Sequence, residues 1–168
     1  MKNQIQRNYL EIKFISELIE TKKPLESLHL EKVEPADLQL NKFFYKEVGK
    51  KHRWTDRLTW SNKNWTDYLN NSGVFTYILK NKEDLVGYFE QNIYLPKHEC
   101  EIAYLGILEE YIGKKIGAYL LSQAIKKSFE TESKRIWVHT CSLDHKHALD
   151  NYLSRGMKVF KSETLSLS

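Results

Sequence analysis

Two glycines that follow a short apolar run are the residues most suited to chemistry in this chain of 168 residues. Residues 102–107 have the composition of a buried strand, and Gly113 and Gly117 precede an amphipathic segment typical of a helix. Glycine lets a backbone approach a ligand closely, and the free N–H groups in the first turn of a helix attract anions. The order strand, glycine-bearing turn, helix therefore predicts a site for a phosphate-bearing cofactor.

Other ligand-binding chemistries find less support in the sequence. A dinucleotide-binding fingerprint requires G-x-G-x-x-G directly after the strand, and a P-loop requires G-x-x-x-x-G-K-[ST], whereas Ala118 and Tyr119 follow Gly117. A cysteine hydrolase is disfavoured because Cys141 lies within a predicted buried strand. No metal is predicted, because the nearby candidate ligands match no zinc spacing and lack a C-x-x-C pair; these are His139, Cys141, His145 and His147.

The glycine-bearing loop resembles motif A of the GNAT family of acetyl-CoA-dependent N-acetyltransferases. That motif reads [QR]-x-x-G-x-[GA] after a strand ending in an L-x-V-like tripeptide, which here is residues 105–107. Ile112 occupies the Gln/Arg position, Lys115 the first motif glycine and Gly117 the second, so the first two of these loop positions depart from the consensus. The resemblance implies that acetyl-CoA, the expected cofactor, is bound by Leu105, Gly106, Ile107, Ile112, Gly113, Lys114, Lys115, Ile116, Gly117 and Ala118.

The second half of the chain is similar to motif B of the same family. The pattern N-x-x-A-x-x-x-Y-x-x-x-G-[FM] is matched at Ala148, Tyr152, Gly156 and Met157, with His145 where Asn is common. Residues 52–58 and 137–141 are further similar to a bacterial subset of the family that carries [HR]-W-x-D-R and W-V-H-T-C segments. The resemblance spans most of the chain and implies an α/β fold, a single GNAT domain with a mixed central sheet flanked by helices.

The resemblance also implies two proton-transfer residues. Glu101 precedes the end of the tripeptide by six residues on the same strand, and in histone-type relatives a Glu at this offset is the general base. Tyr152 matches the motif B tyrosine that in many relatives lies near the cofactor sulfur and can protonate the thiolate. The structural alternatives are a carboxylate at the surface end of a strand for Glu101 and a packed core phenol for Tyr152.

A polar and aromatic cluster lies between the two N-terminal helices, where relatives line the acceptor pocket. Dense polar and aromatic clusters in loops are typical of binding surfaces. The alternative is a structural stack of Trp and Arg side chains that closes the fold. We predict acceptor binding by His52, Trp54, Asp56, Arg57 and, on the cofactor strand, Tyr104.

The predicted elements agree with the order expected for this family. Strands are predicted at 9–14, 28–33, 75–79, 84–92, 99–107, 135–141 and after Gly156. Helices are predicted from Pro35 to a stop at Gly49, at 64–71, from Gly113 to about Phe129, and at 148–153. The three strands between 75 and 107 should pair antiparallel, and the strand after the long helix should run parallel to the one before it. Residues 1–24 form an N-terminal extension or extra strand, and 25–168 the GNAT domain.

Composition bounds the class of protein and its partners. A chain of this length with 41% hydrophobic and 29% charged residues predicts one globular domain. Apolar runs are too short for a transmembrane or signal segment, which predicts no membrane association and a cytoplasmic location. Cys100 and Cys141 are expected to be reduced and buried. The net charge of +4 favours anionic ligands, and coenzyme A accounts for it better than nucleic acid does; a homodimer is compatible with the sequence.

These features together predict an N-acetyltransferase. It would transfer acetyl from acetyl-CoA to a primary amine of a small molecule, peptide or protein by direct attack in a ternary complex. Ile112 and Lys115 depart from the motif A consensus, which leaves a second hypothesis open: a degenerate relative that binds acyl-CoA without turnover. A basic nucleic-acid-binding module is a third, but the chain lacks any recognised motif of that kind.

Overall fold

The computed structural model describes residues 4–166 of the chain. The strands are β1 (Gln4–Ile12), β2 (Leu28–Lys32), β3 (Val74–Asn81), β4 (Asp84–Tyr94), β5 (Glu99–Ile107), β6 (Arg135–Cys141) and β7 (Lys158–Ser166). The helices are α1 (Leu38–His52), α2 (Asn62–Leu69), α3 (Ile116–Phe129) and α4 (Ala148–Ser154). All seven strands form one sheet in the order β2-β3-β4-β5-β6-β1-β7. None of the helices in the described part of the chain is long and apolar enough to cross a membrane.

The sheet is mixed, as predicted. Strands β3, β4 and β5 pair antiparallel in sequence, which confirms the expected meander. Helix α3 then crosses over, and β6 pairs parallel to β5, which confirms the predicted strand–helix–strand unit. The fold prediction, a mixed sheet flanked by helices, is therefore confirmed.

The N-terminal segment is an interior strand of the sheet. Strand β1 pairs antiparallel with β6 on one edge and with β7 on the other. It begins earlier than the predicted strand at 9–14 and ends at Ile12. Leu10 and Ile12 face the core and are almost fully buried. Residues 1–3 of the predicted extension lie outside the described residues.

The start of α1 differs from the prediction. The helix begins at Leu38, and the carboxylate of Asp37 accepts a hydrogen bond of 3.0 Å from the backbone N–H of Leu40. Asp37 is thus the N-cap, so Pro35 lies outside the helix rather than in its first turn, and that prediction was wrong.

The end of α1 also differs, because Gly49 does not stop the helix. The helix continues to His52, and Arg53 ends it in the left-handed conformation with φ of 56°. A Cβ added at Gly49 would lie 3.1 Å from the Cβ of Trp54, so the glycine makes room for the tryptophan. Gly49 is therefore needed for packing against Trp54 and does not end the helix.

Helices cover both faces of the sheet. On one face α3 buries the residues predicted for it, Ile116, Leu120, Leu121, Ala124 and Ile125, against β5 and β6. On the other face α1 packs Phe44 and Val48 against β3 and β4. Neighbouring residues of β3, Ile78 and Leu79, belong to the two different clusters because successive side chains of a strand point to opposite faces.

Candidate active site

The centre of the sheet opens where β5 and β6 stop pairing. Only residues 99–101 of β5 pair with 135–137 of β6, although both strands continue. The bonding of β5 to β4 also shifts at this point, because Glu90 pairs with Tyr104 and Gln91 with Ile102, which leaves Ala103 as an extra, bulged residue. The edge of β5 that faces β6 is therefore unpaired beyond Glu101.

Two cavities meet at this opening. The first, here called the loop cavity, measures about 270 Å³ and lies between the end of β5, the turn before α3, and α4. The second, the sheet cavity, measures about 290 Å³ and is bounded by β1, β5, β6 and the loop after α1. His52, Leu105 and Tyr152 line both cavities, so the two cavities adjoin at these side chains.

The turn before α3 exposes backbone donors to the loop cavity. Gly113 and Lys115 have positive φ angles of 87° and 64°, and α3 begins only at Ile116, three residues later than predicted. No side chain caps this helix start, so its first N–H groups are available to an anion. A Cβ at Gly117 would meet only Ile107 Cγ1, at 3.9 Å, so the missing side chain leaves space that belongs to the cavity.

Lys115 stands where the motif has glycine, and its left-handed backbone explains the glycine preference. An L-residue other than glycine pays about 1–2 kcal/mol for this conformation. The lysine keeps the turn open nonetheless, since its side chain is exposed and lines the loop cavity.

Most residues predicted to bind the cofactor line the loop cavity. They are Leu105, Gly106, Ile107, Ile112, Gly113, Lys115, Gly117 and Ala118. The side chain of Ile116 instead points into the core, where it is 1% exposed. Lys114 is exposed to solvent beside the turn.

The loop after α1 forms an aromatic wall of the sheet cavity. His52, Trp54, Asp56 and Tyr104 line this cavity, as the acceptor prediction requires. The Trp54 ring stacks on His52 with 5.0 Å between centroids and meets Tyr104 edge-on at 4.7 Å. Asp56 is exposed and presents a carboxylate at the cavity.

Arg57, also predicted to contact the acceptor, lies behind this wall. Its two terminal nitrogens each donate a hydrogen bond of 2.9 Å to the carboxylate of Glu90, and the Tyr68 hydroxyl donates to the same carboxylate at 2.7 Å. Five aromatic rings surround the guanidinium: Tyr45, Trp60, Trp65, Tyr68 and Tyr104. Removing one partner of such a buried pair typically costs about 3–5 kcal/mol, so Arg57 fits the structural-stack alternative.

Glu101, the predicted general base, lines neither the loop cavity nor the sheet cavity. Burial raises its pKa to about 7, with the nearby Glu90 carboxylate adding to the increase and Arg57 opposing it. Its Oε2 is 3.8 Å from Nε2 of His139, which does line the cavity. Burial, with the charge of Arg7, lowers the pKa of His139, so this imidazole is neutral at pH 7 and can pass a proton.

Tyr152 stands at the junction of the two cavities. Burial raises the pKa of its phenol above the ordinary value, with the Asp144 carboxylate adding to the effect. The hydroxyl therefore keeps its proton at any physiological pH and acts as a hydrogen-bond donor.

Asp144 ties the loop after β6 to the end of α1. Its carboxylate accepts hydrogen bonds from the Thr140 hydroxyl and from the backbone N–H of Cys141, and lies 3.8 Å from Nδ1 of His52. The backbone N–H of His145 donates to the same Nδ1 at 3.4 Å. These contacts fix the His52 ring at the cavity junction.

The family of the chain follows from its sequence profile. A model of the Acetyltransferase (GNAT) family matches residues 36–157, which is more than half of the chain. The chain belongs to the GNAT acetyltransferase family. The assignment to the bacterial subset stays a prediction, and none of the curated proteins compared with the chain matches it significantly.

Solved structures share the GNAT fold at low sequence identity. A GCN5-related N-acetyltransferase from Kribbella flavida is 14% identical, with a TM-score of 0.69 over 96% of this chain and 57% of that protein. One from Sphaerobacter thermophilus is 12% identical, with a TM-score of 0.73 over 98% and 52%. This chain thus spans little more than half the length of either protein. An aminoglycoside acetyltransferase from an uncultured soil metagenomic sample, in complex with trehalose, is 15% identical, with a TM-score of 0.66 over 79% and 90%.

Three residues at these cavities, His139, Asp144 and Arg7, are not among the predicted site residues. His139 was weighed only as a metal ligand, although its alternation with Trp137 and Cys141 on β6 was a signal that all three share a face. Asp144 and Arg7 carried no motif at all. Cys141, predicted to be buried, is half-buried and lines the sheet cavity, whereas Cys100 is buried as predicted. In residues 4–166 no group of three or more His, Cys, Asp or Glu side chains could hold a metal ion.

Proposed function

We propose that this protein transfers acetyl from acetyl-CoA to a primary amine by direct attack in a ternary complex. The observation that carries the proposal is the meeting of the two cavities at His52, Leu105 and Tyr152. A donor in the loop cavity and an acceptor in the sheet cavity would be in contact there, as one-step transfer needs. Membership of the GNAT family supports the choice of cofactor, and a solved N-acetyltransferase from Thermoplasma acidophilum, 21% identical with a TM-score of 0.51, is in complex with coenzyme A.

The loop cavity fits the cofactor. When bound, acetyl-CoA supplies a thioester carbonyl open to attack and a thiol leaving group. The uncapped N–H groups at the start of α3 bind phosphate oxygens, and Lys115 adds a positive charge. The unpaired edge of β5 at residues 105–107 offers backbone N–H and C=O groups to an extended ligand arm and a donor to the acetyl carbonyl.

Glu101 and His139 remove the proton from the attacking amine. A primary amine with a pKa of about 10 is mostly protonated at neutral pH, so a base must act before attack. His139 faces the sheet cavity and takes the proton from the amine. Glu101, whose carboxylate lies 3.8 Å from His139 and has a pKa of about 7, then receives the proton from His139. Tyr152, which lines both cavities, would donate a hydrogen bond to the sulfur of the cofactor.

The second candidate function is binding of an acyl-CoA without turnover. Lys115 in a left-handed turn and Ile112 in place of Gln or Arg are the observations that favour it. Thiol release in a screen of amines separates the two functions, since a binder alone releases none. The cytoplasmic location and a homodimer stay predictions.

Replacing Gly117 by Leu tests the cofactor site. The Cβ of the new side chain would be in ordinary van der Waals contact with Ile107 alone, and the side chain would occupy part of the loop cavity. The dissociation constant of acetyl-CoA should therefore rise by about 10- to 100-fold, the cost of overfilling a packed site. Calorimetry measures the constant, and thermal unfolding should show a smaller stabilisation by acetyl-CoA than in the unmodified protein. Gln123→Leu, on α3 outside both cavities, is the matched control. Absence of acetyl-CoA and coenzyme A binding to the unmodified protein would refute the proposed function.

Replacing Asp56 by Asn tests the acceptor wall. The carboxylate is exposed at the sheet cavity, so its loss should raise the KM of the amine about 10-fold while coenzyme binding stays unchanged. Steady-state kinetics with varied amine gives the KM. Trp54→Ala should raise the same KM but also lower the melting temperature, because Trp54 packs on Tyr104 and beside Gly49. Equal losses of amine and coenzyme affinity in Asp56→Asn would contradict an acceptor role.

A further inference from the structure

The sheet cavity contains a cationic group that the proposed reaction does not use. Arg7, on β1, lines this cavity. Its Nε is buried and has no hydrogen-bond partner, and within the described residues its side chain bonds only to the Tyr9 hydroxyl, at 3.4 Å from one terminal nitrogen. A guanidinium has five N–H donors in a planar fork, and a fork left open in a cavity suits a carboxylate.

The acidic residue next to Arg7 is already engaged. Glu163 faces Arg7 across the β1–β7 pair, but its carboxylate accepts a hydrogen bond of 2.6 Å from Tyr9 and lies 3.8 Å from the Lys161 ammonium. It forms no ion pair with Arg7 within the described part of the chain. The guanidinium therefore lies beside the cavity, bonded to Tyr9, and most of its N–H groups have no acceptor among the described residues.

Charge of the opposite sign stands on the other wall of the same cavity. Asp56 is exposed on the loop after α1. His139 lies within the electrostatic reach of both groups, because Arg7 lowers the pKa of its imidazole while Asp144 and, to a smaller extent, Asp56 raise it. Asp144, the other acid of the lining, is committed to Thr140 and to the backbone of Cys141. The cavity thus offers one guanidinium at β1 and one exposed carboxylate, Asp56, on the loop wall, where Arg53 also lies.

The overall charge of the lining disfavours a polycationic acceptor. Two arginines, Arg7 and Arg53, balance two aspartates, Asp56 and Asp144, so the formal charges of these four side chains sum to zero. A molecule with several ammonium groups would meet no excess of negative charge and would face a guanidinium at close range. A molecule with one ammonium and one carboxylate matches Asp56 and Arg7.

We propose that the acceptor is a zwitterionic amine of the amino-acid type, whose carboxylate is bound by Arg7 while its amine lies at His139 and Asp56. This inference rests on the proposed acetyl transfer and names its substrate class. Arg7 lies outside the region that matches the family model, residues 36–157, so the specificity would come from a strand that the family pattern does not cover.

The experiment compares amino acids with the same amines lacking the carboxylate. The pairs are L-phenylalanine and phenethylamine, L-histidine and histamine, and L-lysine and cadaverine, with spermidine and kanamycin as polycations. Calorimetry measures binding to the protein saturated with coenzyme A, and thiol release measures kcat/KM with acetyl-CoA. The carboxylate member of at least one pair should be favoured on the order of 10- to 100-fold, the contribution of a charge-assisted bidentate contact.

In the calorimetric measurement, Arg7→Gln should abolish this preference by weakening the binding of the carboxylate member alone, and Arg7→Lys should retain part of it. Arg155→Gln is the matched control, since Arg155 also has unpartnered buried nitrogens but lines neither cavity, and it should keep the preference. A wild-type preference for phenethylamine, histamine, cadaverine or the polycations would overturn the acceptor class and leave acetyl transfer standing. An equal loss for both members of a pair in Arg7→Gln would overturn the role of Arg7. Binding of acetyl-CoA with no thiol release from any amine would overturn both proposals.

Discussion

Replacing Glu101 by Gln is expected to lower kcat by about 10²–10³-fold at pH 7, in the range of general acid–base catalysis. The carboxyl has a pKa of about 7, so in the unmodified enzyme the base form, and with it the rate, should increase as the pH rises through 7. The amide accepts no proton, so this inflection should disappear. Activity should recover in part at high pH, where the amine loses its proton unaided. Initial rates from pH 5.5 to 10 with saturating acetyl-CoA measure the profile.

The stability of the same variant provides the control. A carboxyl whose pKa is raised from about 4.5 unfolded to about 7 folded binds a proton more tightly in the native state, so native stability falls as the pH rises between those values. Above pH 7 the ionised, buried Glu101 costs up to about 3 kcal/mol. Glu101→Gln should therefore melt higher than the unmodified protein at pH 8 and at the same temperature at pH 4. Lower activity together with higher stability excludes unfolding as the cause.

An unchanged pH–rate profile in Glu101→Gln would assign the base elsewhere. Tyr104 lines the sheet cavity and is the next candidate by position, but burial raises its pKa above the ordinary phenol value. Glu90 is 1% exposed and both of its carboxylate oxygens accept hydrogen bonds from Arg57, so it is paired and out of reach of a substrate. His139 alone would then be the acceptor of the proton, with an inflection below the ordinary histidine value.

The sequence predicts those parts of the site that depend on residues adjacent in the chain. It does not predict those that depend on residues brought together from distant elements. The turn at Gly113 and Gly117 and the helix after it depend on neighbours in the chain, so their order alone predicted them. The fate of Arg57 depends on Glu90, which lies 33 residues away on β4. A charged residue in a polar and aromatic stretch therefore suggests a binding group, and only the structure shows whether it is paired with a buried residue of another element.

The position of the N-terminal strand in the sheet also depends on residues far away in the chain. The sequence of β1 predicted a strand but not its place, which is fixed by pairing with β6 and β7 from the far end of the chain. That placement brings Arg7 opposite Cys141 and beside His139, and so into the sheet cavity. Side chains that are brought together only by the order of strands in a sheet have no fixed spacing in the sequence, so no sequence motif predicts their contact.

Replacing Tyr152 by Phe is expected to lower kcat about 100-fold across the whole pH range. The phenol lines both cavities and keeps its proton because burial raises its pKa. A thiol ionises near pH 8.5, so full proton transfer from this phenol to the departing thiolate is uphill, and the hydroxyl instead stabilises the developing charge through a hydrogen bond. No pH supplies that donor in its absence, so the loss should not recover at high pH, in contrast to Glu101→Gln.

Coenzyme affinity decides whether this loss is catalytic. The phenol makes no hydrogen bond to another side chain within residues 4–166, and the ring that packs against the core is kept in Phe, so the melting temperature and the dissociation constant of coenzyme A should change little. Tyr119→Phe, on α3 with a buried ring outside both cavities, is the matched control and should retain full activity. A twofold effect on kcat would remove Tyr152 from the mechanism. A large increase in the coenzyme dissociation constant would instead make it a binding residue, because the defect would then disappear at saturating acetyl-CoA.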